Sequence, residues 1–345
     1  PIETVTVHTM MSGGAFGRKS QPDAAIEAAR LSAALGRPVR VNWTREEEFQ
    51  LDRFRPAMSI ELEAGLDDNG QVTGWKYDLY AAAYYKPLGP NPMPASANAG
   101  MDVTQFYAIP NTGLTFYQSE SPLPVTFWRA NGGPVNALAR ETAIDELAEL
   151  AGKDPVAFRE HLLVNNPRQL AVMRAAVQKA GWQPGVGRTG QGIGLAIDYA
   201  NGTWVAEVAH VAVDEASGGV RVQHIDVAVD CGLVVNPAGA RSQIEGGVIA
   251  QGVGSTLKEG ITFADGKITN NSFRAYAPLR MTEAPTVDVV FVEDKSQPMQ
   301  GLGEPAVCPV SAAISNAVYD AVGVRLRDLP FSPDRVKAAL QARSG

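Results

Sequence analysis

Cysteine is nearly absent. The 345-residue chain has two, Cys231 and Cys308. Neither lies in a CxxC pair, which argues against a zinc or iron–sulfur site within the chain. Two buried thiols are the expectation, with a disulfide left open. Positive charge is also short: 30 Lys and Arg stand against 37 Asp and Glu, a net charge of −7. No basic stripe appears, so nucleic acid is not an expected partner. No apolar run reaches the roughly 18 residues of a membrane span. The four histidines, His8, His161, His210 and His224, show no ligand spacing. His210 and His224 fall on two strands of one expected hairpin and could face each other, which suits a structural role. No GxSxG elbow occurs, nor the GxGxxG of a dinucleotide fold. Gly13 to Ser20 approaches a P-loop, but Arg18 stands where the phosphate cradle needs glycine.

What is present is ordinary globular material, 45% hydrophobic and 19% charged. This length suggests about two domains. The chain opens Pro-Ile-Glu-Thr-Val, without an initiator Met, and reads as a boundary left by processing or cleavage. Ile2 to Thr9 alternates like a strand. Pro22 opens an alanine-rich helix ending at Gly36. Val39 to Trp43 reads as a short strand, and Thr44 as the cap of a helical turn. Met58–Leu66 and Gln71–Tyr85 form a hairpin around Asp67-Asp68-Asn69-Gly70. Lys86 to Gly100 is a Pro, Asn and Gly loop, and Asn111–Glu120 another strand. Helices follow at about Val135–Leu150, after Asp154-Pro155, and at Leu170–Ala180. Gly181 to Gly194 reads as a loop and a domain boundary, dividing residues 1–185 from 186–345. Thr203–Val213 and Gly219–Val229 make a second hairpin. Thr286–Val292 is a strand, and helices follow Pro305 and Ser332-Pro333. The elements come in irregular order, so the class is α+β.

Four stretches could carry chemistry. The loop Gly13-Gly14-Ala15-Phe16-Gly17 could bind an anion or oxo group through exposed N–H groups; a tight strand-to-helix connection is the plainer alternative. Trp128-Arg129-Ala130-Asn131-Gly132-Gly133 puts a forked, permanent cation beside flexible backbone, or simply carries an ion-paired arginine. Gln243 to Gly254 is a helical stretch holding Gly246, Gly247, Gly252 and Gly254. Each helical glycine costs about 1 kcal/mol against alanine. Close approach of a cofactor or of another helix would explain it. Last, Gln300-Gly301-Leu302-Gly303-Glu304-Pro305 sets one carboxylate on a stiffened turn at a helix entrance. The helix dipole there favours an ionised carboxylate. Glu304 is then a general base or an acidic cap.

In this order the motifs resemble the molybdenum-binding subunit of the xanthine oxidase family of molybdenum hydroxylases. Arg37-Pro-Val-Arg-Val-Asn-Trp-Thr-Arg-Glu and Glu141-x-x-x-Asp145-Glu-Leu-Ala are similar to the isoquinoline 1-oxidoreductase β-subunit and membrane-associated aldehyde dehydrogenase branch. The resemblance implies two molybdenum-cofactor-binding subdomains, the second carrying the catalytic Glu304. It implies molybdopterin, commonly as the cytosine dinucleotide, with molybdenum held through the pterin dithiolene and by no protein ligand. By resemblance, Glu304 takes the proton from a metal hydroxide while the cofactor performs the redox step. The cofactor contacts implied are Gly14, Ala15, Phe16, Gly17, Arg129, Ala130, Asn131, Gln243, Gln251, Gly252, Gly254 and Gly303.

Two departures narrow the substrate. Purine-oxidising members carry glutamate where this chain has Ser20, and a stacking phenylalanine where it has Asn131. An aldehyde or another N-heterocycle is the expected small-molecule substrate. The family's catalytic subunit is longer, and its preceding half supplies a Gly-Gln-Gly loop near the pterin. This chain therefore reads as the C-terminal part, partnered by that half as a separate or cleaved chain. A [2Fe–2S] subunit, and in some members cytochrome c, would take the electrons. The resemblance favours a periplasmic or periplasmic-membrane-associated setting over the cytoplasm. The alternatives are a non-catalytic assembly subunit of the same fold, or a nucleotide-dependent enzyme using residues 13–20.

Overall fold

The computed structural model describes residues 2–11, 13–82, 106–183 and 189–343. The expected loop at 86–100 lies outside them. Helix α1 spans Asp23–Leu35 and closes on left-handed Gly36, the usual glycine stop. Helix α2, Arg45–Leu51, starts in a capping box between Thr44 and Glu47. Strands β1 (Met58–Leu66) and β2 (Val72–Ala81) pair antiparallel, and β3 (Thr112–Gln118) joins β2 in parallel. Helices α3 (Gly133–Leu150), α4 (Pro155–Leu162) and α5 (Pro167–Ala180) follow. Each has proline in its first turn, where a missing N–H is harmless.

A second sheet then forms from β4 (Gln191–Ala200), β5 (Thr203–Asp214), β6 (Gly219–Asp230) and β7 (Thr286–Phe291). Its first three strands are antiparallel neighbours, and β7 pairs with β6 in parallel. Helix α6 (Pro237–Gly246) runs into a π-helical stretch, Gly247–Val253, and then α7 (Gly254–Leu257). After a 3₁₀ turn at Pro305–Val307 come α8 (Val310–Val322) and α9 (Pro333–Arg343). Among the described residues, no helix is long and apolar enough to cross a membrane. Both cysteines are buried, and neither is in a disulfide.

The second sheet is buried on both faces. Val205, Ala209, Val227 and Val229 pack under α8, whose Ala313, Ala317 and Val318 are wholly buried. Leu195, Ile197, Ala206 and Val208 face the other way, with Ile144, Phe158 and Met173 of the helices. Full burial of the Val, Leu, Ile, Phe and Met side chains among these contributes roughly 1.5–3 kcal/mol each.

Three sequence expectations change. Ile2 to Thr9 forms no strand; Ile2–Thr4 is a 3₁₀ turn, and Val7 beyond it is 82% exposed. An alternating run becomes a strand only beside an edge that can pair with it, and it meets none among the described residues. Val39 to Trp43 is also unpaired; Trp43 is held instead by its indole N–H on Glu27. The loop expected up to Gly194 ends in strand, since Gly192 and Gly194 lie inside β4. They are there for packing. A Cβ on Gly194 would stand 2.3 Å from the carbonyl oxygen of Ala313, and one on Gly192 2.1 Å from that of Ala317. Glycine lets α8 lie directly on the strand.

Glu207, mid-β5, is completely buried, and neither carboxylate oxygen has a hydrogen-bond partner among the described residues. Burial, helped by nearby Asp198, pushes its carboxyl well above the ordinary 4.5. The folded chain therefore keeps a proton that the unfolded chain releases above 4.5. Folding stability contributed by this group falls as pH rises past that value. Glu207→Gln should remove the effect. Thermal unfolding across pH is expected to show a gap in favour of the variant that widens from acid to neutral. Parallel curves would refute it.

Candidate active site

The Gln300–Glu304 stretch is pinned from one side by the β4–β5 turn. Thr203 Oγ1 donates to the Gly301 carbonyl at 2.8 Å. Gln300 N–H donates to the Cys231 carbonyl at 2.9 Å. At the end of this stretch the half-buried Glu304 occupies the cap position of the Pro305–Val307 turn, yet its side chain caps nothing there. Instead its Oε1 accepts from the Ala130 N–H at 3.0 Å and its Oε2 from Asn201 Nδ2 at 2.7 Å. The acidic-cap alternative therefore fails on geometry. Both oxygens face N–H groups.

Arg129 is the hub beside it. Its Nε donates to the Gly303 carbonyl at 2.5 Å, Nη1 to Gln251 Oε1 at 2.8 Å, and Nη2 to the Gln243 carbonyl at 3.4 Å. Its backbone N–H donates to the Phe16 carbonyl at 2.8 Å. Burial draws the guanidinium below its usual value, with Glu304 opposing. An arginine has no acceptor, so Gln251 must turn Oε1 to it. That leaves the Gln251 Nε2 pair as free donors among the described residues. Gln243 Nε2 donates to the Gly303 carbonyl at 3.4 Å, which frees its Oε1 as an acceptor.

The glycine loop is seated on the Arg129 segment. A Cβ at Gly17 would lie 2.2 Å from the Phe127 carbonyl oxygen, so only glycine fits. Gly13 and Gly14 are exposed, and the Phe16 ring covers Gly14. Lys19 bends back to the Gly13 carbonyl, and Arg18 pairs with Asp23 and Asp52. Neither cation is aimed into a phosphate cradle. Non-glycine residues with positive φ among those described are Phe16, Ala130, Asn131, Asn201 and Asp265. All but Asp265 lie in this cluster. Such conformations cost about 1–3 kcal/mol each and gather at functional sites.

Of the residues expected here, Gly14, Ala15, Phe16, Gly17, Arg129, Ala130, Asn131, Gln243, Gln251, Gly303 and Glu304 belong to segments that meet at this cluster. Gly252 and Gly254 lie on the same stretch as Gln251 but pack against other groups. Both are buried, and a Cβ would stand 2.5 Å from Val310 Cγ2 and 2.5 Å from Glu259 Oε1 respectively. At Gly252 the close neighbour is a helix, α8, which is the other reading of that stretch. Their neighbour Gly247 is the glycine that matters to the site, because a Cβ there would be 2.9 Å from Arg129 Nη2.

Asn201 and Arg55 escaped the sequence reading. Arg55 Nη2 donates to the Arg129 carbonyl at 2.6 Å and its guanidinium lies 4.3 Å from the Trp128 ring centroid. Asn201-Gly202 is a hairpin signal, but nothing local announces its reach to Glu304.

Two families described as molybdopterin cofactor-binding domains match the chain, over residues 1–163 and 138–285. It is 33% identical to a nicotinate dehydrogenase subunit from Pseudomonas putida, over 97% of this chain and 30% of that protein. It is 29% identical to the isoquinoline 1-oxidoreductase β-subunit from Brevundimonas diminuta, over 96% and 43%. Membrane-bound aldehyde dehydrogenase [pyrroloquinoline-quinone] of Gluconacetobacter polyoxogenes is 32% identical over 99% and 48%. The chain thus spans a third to a half of the curated relatives it matches. Quinoline 2-oxidoreductase of Pseudomonas putida 86 shares the fold with a TM-score of 0.82 at 16% identity, over 95% of this chain and 68% of that one. Carbon monoxide dehydrogenase of Oligotropha carboxidovorans does so at 0.78 and 13%, over 96% and 67%.

Fold and cluster together define a molybdopterin-binding class. The chain belongs to the xanthine oxidase family of molybdenum-binding subunits and represents part of such a subunit. The donor set suits that cofactor. It offers free amide donors and acceptors on Gln243 and Gln251, an exposed glycine loop, a clamped cation and one carboxylate.

Proposed function

We propose that this chain forms part of the catalytic subunit of a molybdenum hydroxylase acting on an aldehyde or N-heterocycle, with Glu304 as general base. When bound, the cofactor supplies two-electron oxidation of a substrate carbon with oxygen derived from water. Glu304 takes up a proton on Oε1 or Oε2. Ala130 and Asn201 hold that carboxylate at a fixed angle. Gln251 Nε2 and Gln243 Oε1 offer hydrogen bonds to the pterin, and Arg129 keeps both glutamines and Gly303 in register. The observation that carries this reading is the doubly anchored Glu304 carboxylate beside the Arg129 hub.

Relatives named for nicotinate, isoquinoline and aldehyde support the substrate class. Two of them are named as subunits, which supports a complex. In our reading the preceding half of the molybdenum subunit completes the pocket. A [2Fe–2S] subunit receives the electrons, with cytochrome c as a further acceptor, and the pterin is the cytosine dinucleotide form. Metal and pterin analysis of the purified, active complex should find molybdenum and a pterin cytosine dinucleotide in stoichiometric amounts. Active complex without molybdenum would sink the assignment.

A further inference from the structure

Two elements in the first fifty residues show apolar side chains to solvent. Helix α1 buries none of its 13 residues. Ala24, Ala28, Leu31 and Leu35 recur at i, i+4, i+7 and i+11, which sets them in one stripe along it. Ala28 is half-buried and the other three are exposed, Leu31 at 45% and Leu35 at 55%. Asp23, 2.8 Å from Arg53, and Glu27, 2.9 Å from the Trp43 indole nitrogen, tether the helix through polar groups. An isolated helix shorter than about 12–15 residues is marginal in water, and packing of an apolar face is what usually secures one.

The second element is the arm before the glycine loop. Val5 and Val7, set among threonines, are residues that suit a strand. Both are exposed, and among the described residues no hydrogen bond reaches Thr6 to Met11. Their backbone groups stand open to pairing, and their side chains have nothing to pack on. Met11 is five residues before Phe16, at most about 17 Å of chain. The Phe16 carbonyl in turn accepts the Arg129 N–H. Whatever covers the arm therefore comes up to the cofactor cluster.

We propose that the arm and α1 are the seat of the polypeptide that completes the molybdenum subunit. The arm adds as a strand to one of its sheets, and the α1 stripe packs on its apolar surface. This rests on the reading that a preceding half closes the pocket, and it names the surface that holds that half. More than half of each of three relatives lies outside the region this chain matches, which is ample material for the contact. A second copy of this chain would cover the stripe by pairing it with itself, but would supply none of that remaining length. The nearness of the arm to the cofactor cluster also favours the half that completes it.

Photo-cross-linking and hydrogen exchange on the purified complex test this. Neither reads turnover or molybdenum, so failure of the cofactor assignment would show separately, in the metal analysis. A photo-reactive residue in place of Leu35 should cross-link to the preceding half of the molybdenum subunit. Amides of Thr6 to Met11 and of α1 should exchange at least about 100-fold more slowly than in an unstructured chain. Val7→Pro removes a ladder donor and should release the arm. Leu31→Asp with Leu35→Asp should release α1. In both variants α8 should stay protected, because neither site is part of this chain's own core. Cross-links only to a second copy of this chain, or only to an iron–sulfur subunit, would overturn the proposal. So would arm and α1 amides that exchange at unstructured-chain rates in the wild-type complex.

Discussion

Glu304→Gln should keep the cofactor bound and lower turnover by about 10²–10⁴-fold, the contribution of a positioned general base. The substitution preserves shape. Gln keeps an oxygen for the Ala130 N–H, and its amide can meet Asn201 if that side chain turns its oxygen inward. Arg129, Gln243 and Gln251 are untouched, so pterin contacts stay. What is lost is the capacity to take a proton. Turnover near normal with full cofactor would remove the base assignment. A companion variant separates positioning from folding. Asn201→Asp sets a second carboxylate where a donor stood 2.7 Å from Oε2. Two carboxylates this close resist ionising together, so the acid limb of the kcat/KM profile should move to higher pH. Asn201→Gly keeps the positive φ of the turn (φ 52) at no steric penalty and drops only the donor. It should lower kcat without moving the melting temperature. A profile unmoved in Asn201→Asp would deny Asn201 that role.

Much of this site is legible locally because its parts are short and glycine-marked. Gly17 and Gly247 are glycines for steric reasons that a sequence can signal, if not place. Phe16, Arg129 and Glu304 announce themselves by standing beside such residues. The structure adds the pairing of segments far apart in sequence: Arg129 with Gln251, Glu304 with Asn201. Asn201 looks like any hairpin turn residue until the Gln300–Glu304 stretch is laid against it. Gly252 and Gly254 show the converse. A helical glycine signals close approach, but not of what, and here Val310 and Glu259 fill the space. The hairpins and helices were readable from periodicity and caps. Ile2 to Thr9 was not, because alternation says nothing of whether an edge is available.

The largest stability effect is expected at Glu141. It is completely buried on α3 and collects four donors. Arg140 Nε reaches it at 3.1 Å, Arg159 Nε at 3.1 Å, Tyr107 OH at 3.0 Å and the Ile197 N–H at 3.3 Å. Asp145, one helical turn on, takes Arg159 at 3.2 Å and Arg325 at 2.8 Å, and Asp198 of β4 takes Arg140 at 2.7 Å. Burial works against the charge on Arg140 and Arg159, yet the surrounding anionic groups outweigh it and hold both above their usual values. Glu141→Ala leaves two buried guanidiniums sharing too few anions. Breaking a buried pair from one side costs about 3–5 kcal/mol. Replacing the network by apolar residues of similar volume is often neutral or better, so Glu141→Met combined with Arg159→Met should recover most of the loss. The network also grips β4, because Glu141 and Arg140 hold the Ile197 N–H and carbonyl. That strand ends at the Asn201 turn, so Glu141→Ala should slow turnover as well as lower the unfolding midpoint in urea. A loss under about 1 kcal/mol would show the network to be far weaker than its burial implies.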